Sequence, residues 1–159
     1  RGAATSSSAP ACPVSGGSDL PRVAALTRSV SFSAAHRYRR PEWDDAKNRE
    51  VFGACAHPNW HGHTYTCEVT VGGRVDPQTG FCVDLAVLDA ALRDEVVGKL
   101  DHRNLVLDVP EFAEGRLIPT SENLAWWVAE RLQAKLPELR ILRVRVSEGP
   151  GLWAEINPG

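Results

Sequence analysis

Between His61 and Gly73 the residues His61, His63, Tyr65, Cys67, Val69 and Val71 recur at every second position, with Thr64, Thr66, Glu68 and Thr70 between them. A period of two sends successive side chains to opposite faces, so the segment reads as a strand with one apolar and one polar side. The same period places His61 and His63 on the apolar side, and Gly62 leaves the opposite face open.

A second strand is expected upstream, from Val23 to Ala35, where Val30, Phe32 and Ala34 alternate with Ser29, Ser31 and Ser33. His36 continues the Phe32 side, and pairing of the two strands could bring it opposite the histidine pair. Residues 37–60 hold many charges, Pro41, Gly53 and Pro58, and read as a long excursion with a short helical turn near Ala46 to Val51. An excursion of this length inside a domain is usually functional.

After the His61 strand, Asp76-Pro77-Gln78-Thr79-Gly80 is turn chemistry leading to a short segment, Phe81 to Val83, which predicts a hairpin. Asp84 can cap a helix with Leu85, Leu88, Leu92 and Val96 on one face. A further helix starts near Thr120 or Ser121, carries Leu124, Val128, Leu132 and Leu136, and stops at Pro137. Arg140 to Ser147 alternates again, Gly149-Pro150-Gly151 turns, and Leu152 to Ile156 returns. The order is two strands, two helices, two strands, an α+β pattern without internal repeats.

At 159 residues and 43% apolar content, the chain suits one globular domain, placed at 23–159. Residues 1–22 are rich in Ala, Ser, Gly and Pro and read as a flexible tail, a processed terminus or the remains of a targeting segment. Lys and Arg total 18 against 20 Asp and Glu, which gives a net charge of -2 and argues against nucleic acid as a partner. Charged residues interrupt every hydrophobic stretch before the roughly 20 residues a bilayer requires, so no membrane association is expected. Cys12, Cys55, Cys67 and Cys82 form no C-x-x-C pair and are expected as reduced thiols in the cytoplasm.

Three neutral imidazoles, His36, His61 and His63, with a free fourth position are the ligand set of a catalytic zinc ion; structural zinc usually takes four protein ligands. The competing reading is a set of partly buried, hydrogen-bonded histidines. Cys55, six positions before His61, could act as base or nucleophile beside a dication, or be an inert core thiol. In Leu100-Asp101-His102-Arg103-Asn104-Leu105 the Asp101 carboxylate could set the tautomer of His102, or simply cap a solvated turn. Glu148 precedes Gly149-Pro150-Gly151 and is either an ordinary solvated strand end or a carboxylate projecting into a pocket. In a pocket it could accept two parallel N–H bonds from a guanidine-like edge.

These residues resemble the 6-pyruvoyltetrahydropterin synthase and 6-carboxytetrahydropterin synthase family. The resemblance rests on Phe32-Ser33-Ala34-Ala35-His36-Arg37, Phe52-Gly53-Ala54-Cys55, Pro58-Asn59, His61-Gly62-His63-Thr64-Tyr65, Leu100 to Leu105 and Pro119-Thr120-Ser121-Glu122-Asn123, with Glu148 in addition. It implies a tunnelling fold, a four-stranded antiparallel sheet with two helices packed on one face, closed in threes into a barrel and stacked as a homohexamer. It further implies zinc on His36, His61 and His63, catalysis by Cys55, Asp101 and His102, a pterin anchored by Glu148, and a pocket lined by Thr120, Ser121 and Glu122. Cys55 and Glu148 of one subunit would meet Asp101 and His102 of a neighbour.

The implied substrate is 7,8-dihydroneopterin triphosphate and the implied product 6-pyruvoyltetrahydropterin, favoured by the Cys55–His61 interval. The alternatives are 6-carboxytetrahydropterin synthesis in the queuosine pathway and a zinc- and pterin-binding module without turnover. Two departures from the family's pattern bear on that choice: Trp60 replaces a small residue, and Ala56-His57 replaces a pair of amides.

Overall fold

Two fourteen-residue strands, β1 (Val23–His36) and β2 (His61–Arg74), pair antiparallel along their whole length, from Val23 opposite Arg74 to His36 opposite His61. The computed structural model describes residues 21–159; the expectations for residues 1–20, Cys12 among them, lie outside the described residues. A two-residue strand β3 (Arg103–Asn104) runs parallel to Ala34 and Ala35 at the outer edge of β1. On the other side β2 pairs with β4 (Arg140–Gly149), which pairs with β5 (Leu152–Ile156), giving the order β3-β1-β2-β4-β5.

Local signals account for the helices. Asp44 caps α1 (Asp45–Phe52) by accepting from Lys47 N at 2.7 Å. Asp84 caps α2 (Leu85–Leu92), accepting from Ala86 N at 2.9 Å and Val87 N at 3.2 Å, which satisfies N–H groups that a helix start leaves unpaired. A π turn (Arg93–Val97) leads from α2 into α3 (Gly98–Leu100), and α4 (Leu105–Asp108) follows β3. Thr120 caps α5 (Ser121–Lys135), which ends before Pro137.

Leu88, Leu92, Val96 and Leu100 join Leu124, Val128 and Leu132 of α5 against Phe32, Tyr65, Val69, Val144 and Val146 on one face of the sheet. Each fully buried Leu or Val contributes about 1.5–3 kcal/mol. The other face is polar: Thr27 bonds Thr70 at 2.8 Å, and Arg145 bonds Glu155 at 2.6 Å with its guanidinium 5.3 Å from the Trp153 ring. The expected four-stranded antiparallel sheet with two helices on one face is therefore present, with β3 and the short helices as additions.

Phe81–Val83 departs from expectation, because it forms no strand. The Asp76 carboxylate accepts from Gln78 N at 2.7 Å and Thr79 N at 2.8 Å, and the Asp84 cap begins directly afterwards. Three residues between a turn and a cap are too few for a ladder, and two backbone bonds, Asp76 N to Phe81 O at 2.9 Å and Gly80 N to Asp76 O at 2.8 Å, close the loop. Among the described residues no helix is long and apolar enough to cross a membrane.

Candidate functional site

The register of β1 and β2 brings the three histidines together at one end of the sheet, His36 opposite His61 and Ala34 opposite His63. Their ring centroids stand 4.5 Å apart for His36–His61 and 5.0 Å for each of the other pairs, and their ligand nitrogens all lie within 4.8 Å of one another. His36 is wholly buried, with Nδ1 3.2 Å from Pro119 O and 3.0 Å from Tyr65 Oη. A carbonyl can only accept, so Nδ1 carries the proton. The lone pair on Nε2 then faces His61 Nε2, 2.9 Å away.

Burial, helped by the nearby rings of His61 and His63, holds His36 down to about 4, and burial together with His63 also lowers His61. Both are therefore in the neutral form that binds metals. His63 Nε2 is buried and has no hydrogen-bond partner. An orphaned nitrogen of this kind is costly unless something else satisfies it, and an ion shared with the two converging imidazoles would do so. The donor set thus fits a metal held by His36, His61 and His63.

Glu148, the last residue but one of β4, is no solvated strand end: its side chain is only 8% exposed. Oε1 accepts from Ser121 Oγ at 2.8 Å and from Tyr38 Oη at 3.1 Å, while Oε2 lies 3.8 Å from His63 Nε2. Cys55 sits in a 3-10 turn (Gly53–Ala56) that follows α1 through Gly53, whose φ of 57° suits glycine. The turn is tied to the triad's strand extension by Tyr38 N donating to Cys55 O at 2.8 Å. Burial, and then the Glu148 charge, push the half-buried Cys55 thiol above its usual range, so without a metal it is protonated at neutral pH. Burial and Glu148 likewise hold Tyr38 and Tyr65 well above the usual phenol range.

Asp101 and His102 lie along the outer edge of β1. Asp101 Oδ1 accepts from Ser33 N at 2.7 Å, and His102 N donates to Ser33 O at 2.7 Å. Asp101 thus ties its turn to the edge of β1, and its Oδ2 is also 3.6 Å from His102 Nε2. The His102 side chain is 85% exposed and borders an open cleft of about 560 Å³ together with Ser33, Gly62 and His63. Among the described residues, neither Asp101 nor His102 is hydrogen-bonded to Cys55 or Glu148. Of the three residues in the Thr120 segment, Thr120 caps α5, Ser121 holds Glu148, and Glu122 is exposed in the first turn.

Trp60 adopts a φ of 63°, unusual for a bulky residue, and its ring lies 4.7 Å below the Arg37 guanidinium. His57 Nδ1 accepts from Asn59 N at 3.2 Å within the exposed loop. Tyr65 and Tyr38 are the contributors that sequence reasoning passed over. Tyr65 could have been found, since it continues the His61–His63 side of β2; Tyr38 lies beyond the end of β1, where strand parity gives no direction. A cavity of about 630 Å³ on the outer side of α5, lined by Trp126, Trp127 and Arg131, contains none of these residues.

Comparisons with known proteins place the chain in a family. The chain is 41% identical over 125 residues to human 6-pyruvoyl tetrahydrobiopterin synthase, which covers 79% of this chain and 85% of that protein. It is 32% identical over 131 residues to the dihydroneopterin monophosphate aldolase of Pyrococcus furiosus, covering 80% and 92%. The structure of Caenorhabditis elegans 6-pyruvoyl tetrahydropterin synthase superposes with a TM-score of 0.81 at 35% identity, covering 87% of this chain and 98% of that one. A sequence model described as 6-pyruvoyl tetrahydropterin synthase matches residues 25–159, and the chain belongs to that family.

Proposed function

We propose that the protein is a zinc-dependent carbon–oxygen lyase that converts 7,8-dihydroneopterin triphosphate to 6-pyruvoyltetrahydropterin and releases triphosphate. The observation that carries this reading is the convergence of three imidazoles, one with a buried and unpartnered nitrogen, beside the buried carboxylate of Glu148. Zinc on His36, His61 and His63 would supply Lewis acidity toward the hydroxyls of the substrate side chain.

Glu148 receives the 2-amino group and ring N–H of the pterin, which fixes the ring relative to the triad. Cys55 takes up a proton from the side chain; near a dication its thiol ionises more readily than burial alone allows. His102, oriented by Asp101, returns a proton as triphosphate departs and hydrogen is redistributed between side chain and ring. The exchange is internal, so it requires no redox cofactor. The exposed position of His102 suits donation to the site of a neighbouring subunit in a homohexamer of two stacked trimeric barrels. Free cysteines, Cys55 among them, favour a cytoplasmic setting.

Incubating the purified protein with zinc and 7,8-dihydroneopterin triphosphate should release triphosphate, and absence of release would refute the assignment. Mass spectrometry of the product separates the pyruvoyl compound from 6-carboxytetrahydropterin. That second reading keeps its place because Trp60, whose ring lies against the Arg37 guanidinium, stands where the family commonly has a small residue. A binding module without turnover would instead hold the pterin and leave the triphosphate intact.

A further inference from the structure

Two hydroxyls converge on one oxygen of Glu148, and the mechanism above uses neither of them. Ser121 Oγ donates to Oε1 at 2.8 Å and Tyr38 Oη donates to the same atom at 3.1 Å. A carboxylate offers about four lone-pair directions, two on each oxygen. Oε1 is therefore tied to the protein at two points, whereas Oε2 has only the 3.8 Å approach of His63 Nε2. The terminal torsion of a glutamate is soft, so the plane of an unsupported carboxylate would wander. Bonds from two separate elements, the segment after β1 and the start of α5, fix that plane.

Tyr38 is itself held on three sides. Its ring meets His36 edge-on at 4.8 Å and Phe52 at 6.0 Å, and its backbone N–H donates to Cys55 O at 2.8 Å. One side chain thereby links the metal-ligand strand, the Cys55 turn and the carboxylate.

We propose that Tyr38 is a positioning residue that, together with Ser121, fixes the carboxylate plane of Glu148 through Oε1 and so sets the direction in which that carboxylate meets the N–H edge of a 2-aminopyrimidinone ring. The inference rests on Glu148 being the ring anchor. It adds that the direction of that recognition is set by Tyr38 acting through Oε1.

The test uses the zinc-loaded protein and 7,8-dihydroneopterin, which lacks the triphosphate leaving group, with binding followed by calorimetry. Tyr38→Phe keeps the ring and its edge contacts and removes only the hydroxyl. Tyr38→Phe and Ser121→Ala should each weaken binding about tenfold, the size of one hydrogen bond to a charged group. In turnover, Tyr38→Phe should raise KM by a similar factor while kcat stays within about threefold, the signature of lost binding rather than lost chemistry. Zinc content and melting temperature should match the unsubstituted protein.

Unchanged binding in Tyr38→Phe or in Ser121→Ala, with Glu148→Gln impaired, would overturn the inference alone. Unchanged binding in Glu148→Gln would overturn the anchor assignment beneath it. Loss of zinc or of the folded state in Tyr38→Phe would make Tyr38 a packing group and overturn its positioning role.

Discussion

Mild acid applied to the chelated, metal-free protein tests the triad directly. His36 has no exposed surface, and burial chiefly, with smaller opposition from Pro119 and Glu148, lowers it from 6.5 to about 4. Between those values the unfolded chain binds a proton that the folded chain refuses, so stability rises with pH across the window. The contribution is complete above about pH 6.5, declines below it and is exhausted near pH 4. The interval, at about 1.36 kcal/mol per pH unit, amounts to about 3 kcal/mol. His61 is lowered by the same cause and adds in the same direction. Asp76 and Asp89, whose pKa values lie below the ordinary 3.8, also lose stabilisation in acid, but only below this window.

Urea unfolding of chelated protein at a fixed concentration, followed by circular dichroism at pH 7.5 and pH 4, reads the difference. With a slope of about 1–3 kcal/mol per molar urea, the midpoint should fall by about 1–3 M. An equal or higher midpoint at pH 4 would show that His36 is not held neutral by burial, and the tautomer argument for its Nε2 would fail with it.

Cys55→Ala should abolish triphosphate release while retaining zinc, measured by elemental analysis alongside the activity assay; retained turnover would remove Cys55 from the chemistry. Gly73→Ala should destabilise by about 1–3 kcal/mol, because its new methyl would collide with the backbone carbonyl of Cys82. Gly72→Ala meets the flexible Leu142 side chain, Cδ1 at 2.9 Å being nearest, and should lower the urea midpoint less. Asp84→Ala removes the cap of α2 and should cost about 1 kcal/mol in thermal unfolding with zinc affinity unchanged.

Strand periodicity made most of the architecture legible, because alternation reports directly which side chains share a face. It placed His61 and His63 together, and the pairing of β1 with β2 then supplied His36. Capping chemistry marked both main helices for the same reason: Asp84 and Thr120 act on neighbours within three residues. The Phe81–Val83 hairpin failed because two adjacent local signals left no room for a strand between them. Tyr38 was invisible because its partner, Glu148, lies 110 positions away and only the folded sheet brings them together. The exposure of His102 was equally unreadable, since it follows from how Ser33 recruits the Asp101 turn to an edge.

The stripe on β2 that begins with His61 and His63 continues without interruption into Tyr65, Cys67, Val69 and Val71, all four buried. A slip of one residue against β1 would turn every member of that stripe over at once. Misassembly therefore cannot spoil the imidazole cluster quietly, because the same error would bring four interior side chains into water. The hydrophobic interior acts as a proofreader for the reactive end of the sheet, and molecules that survive folding carry correctly aimed histidines.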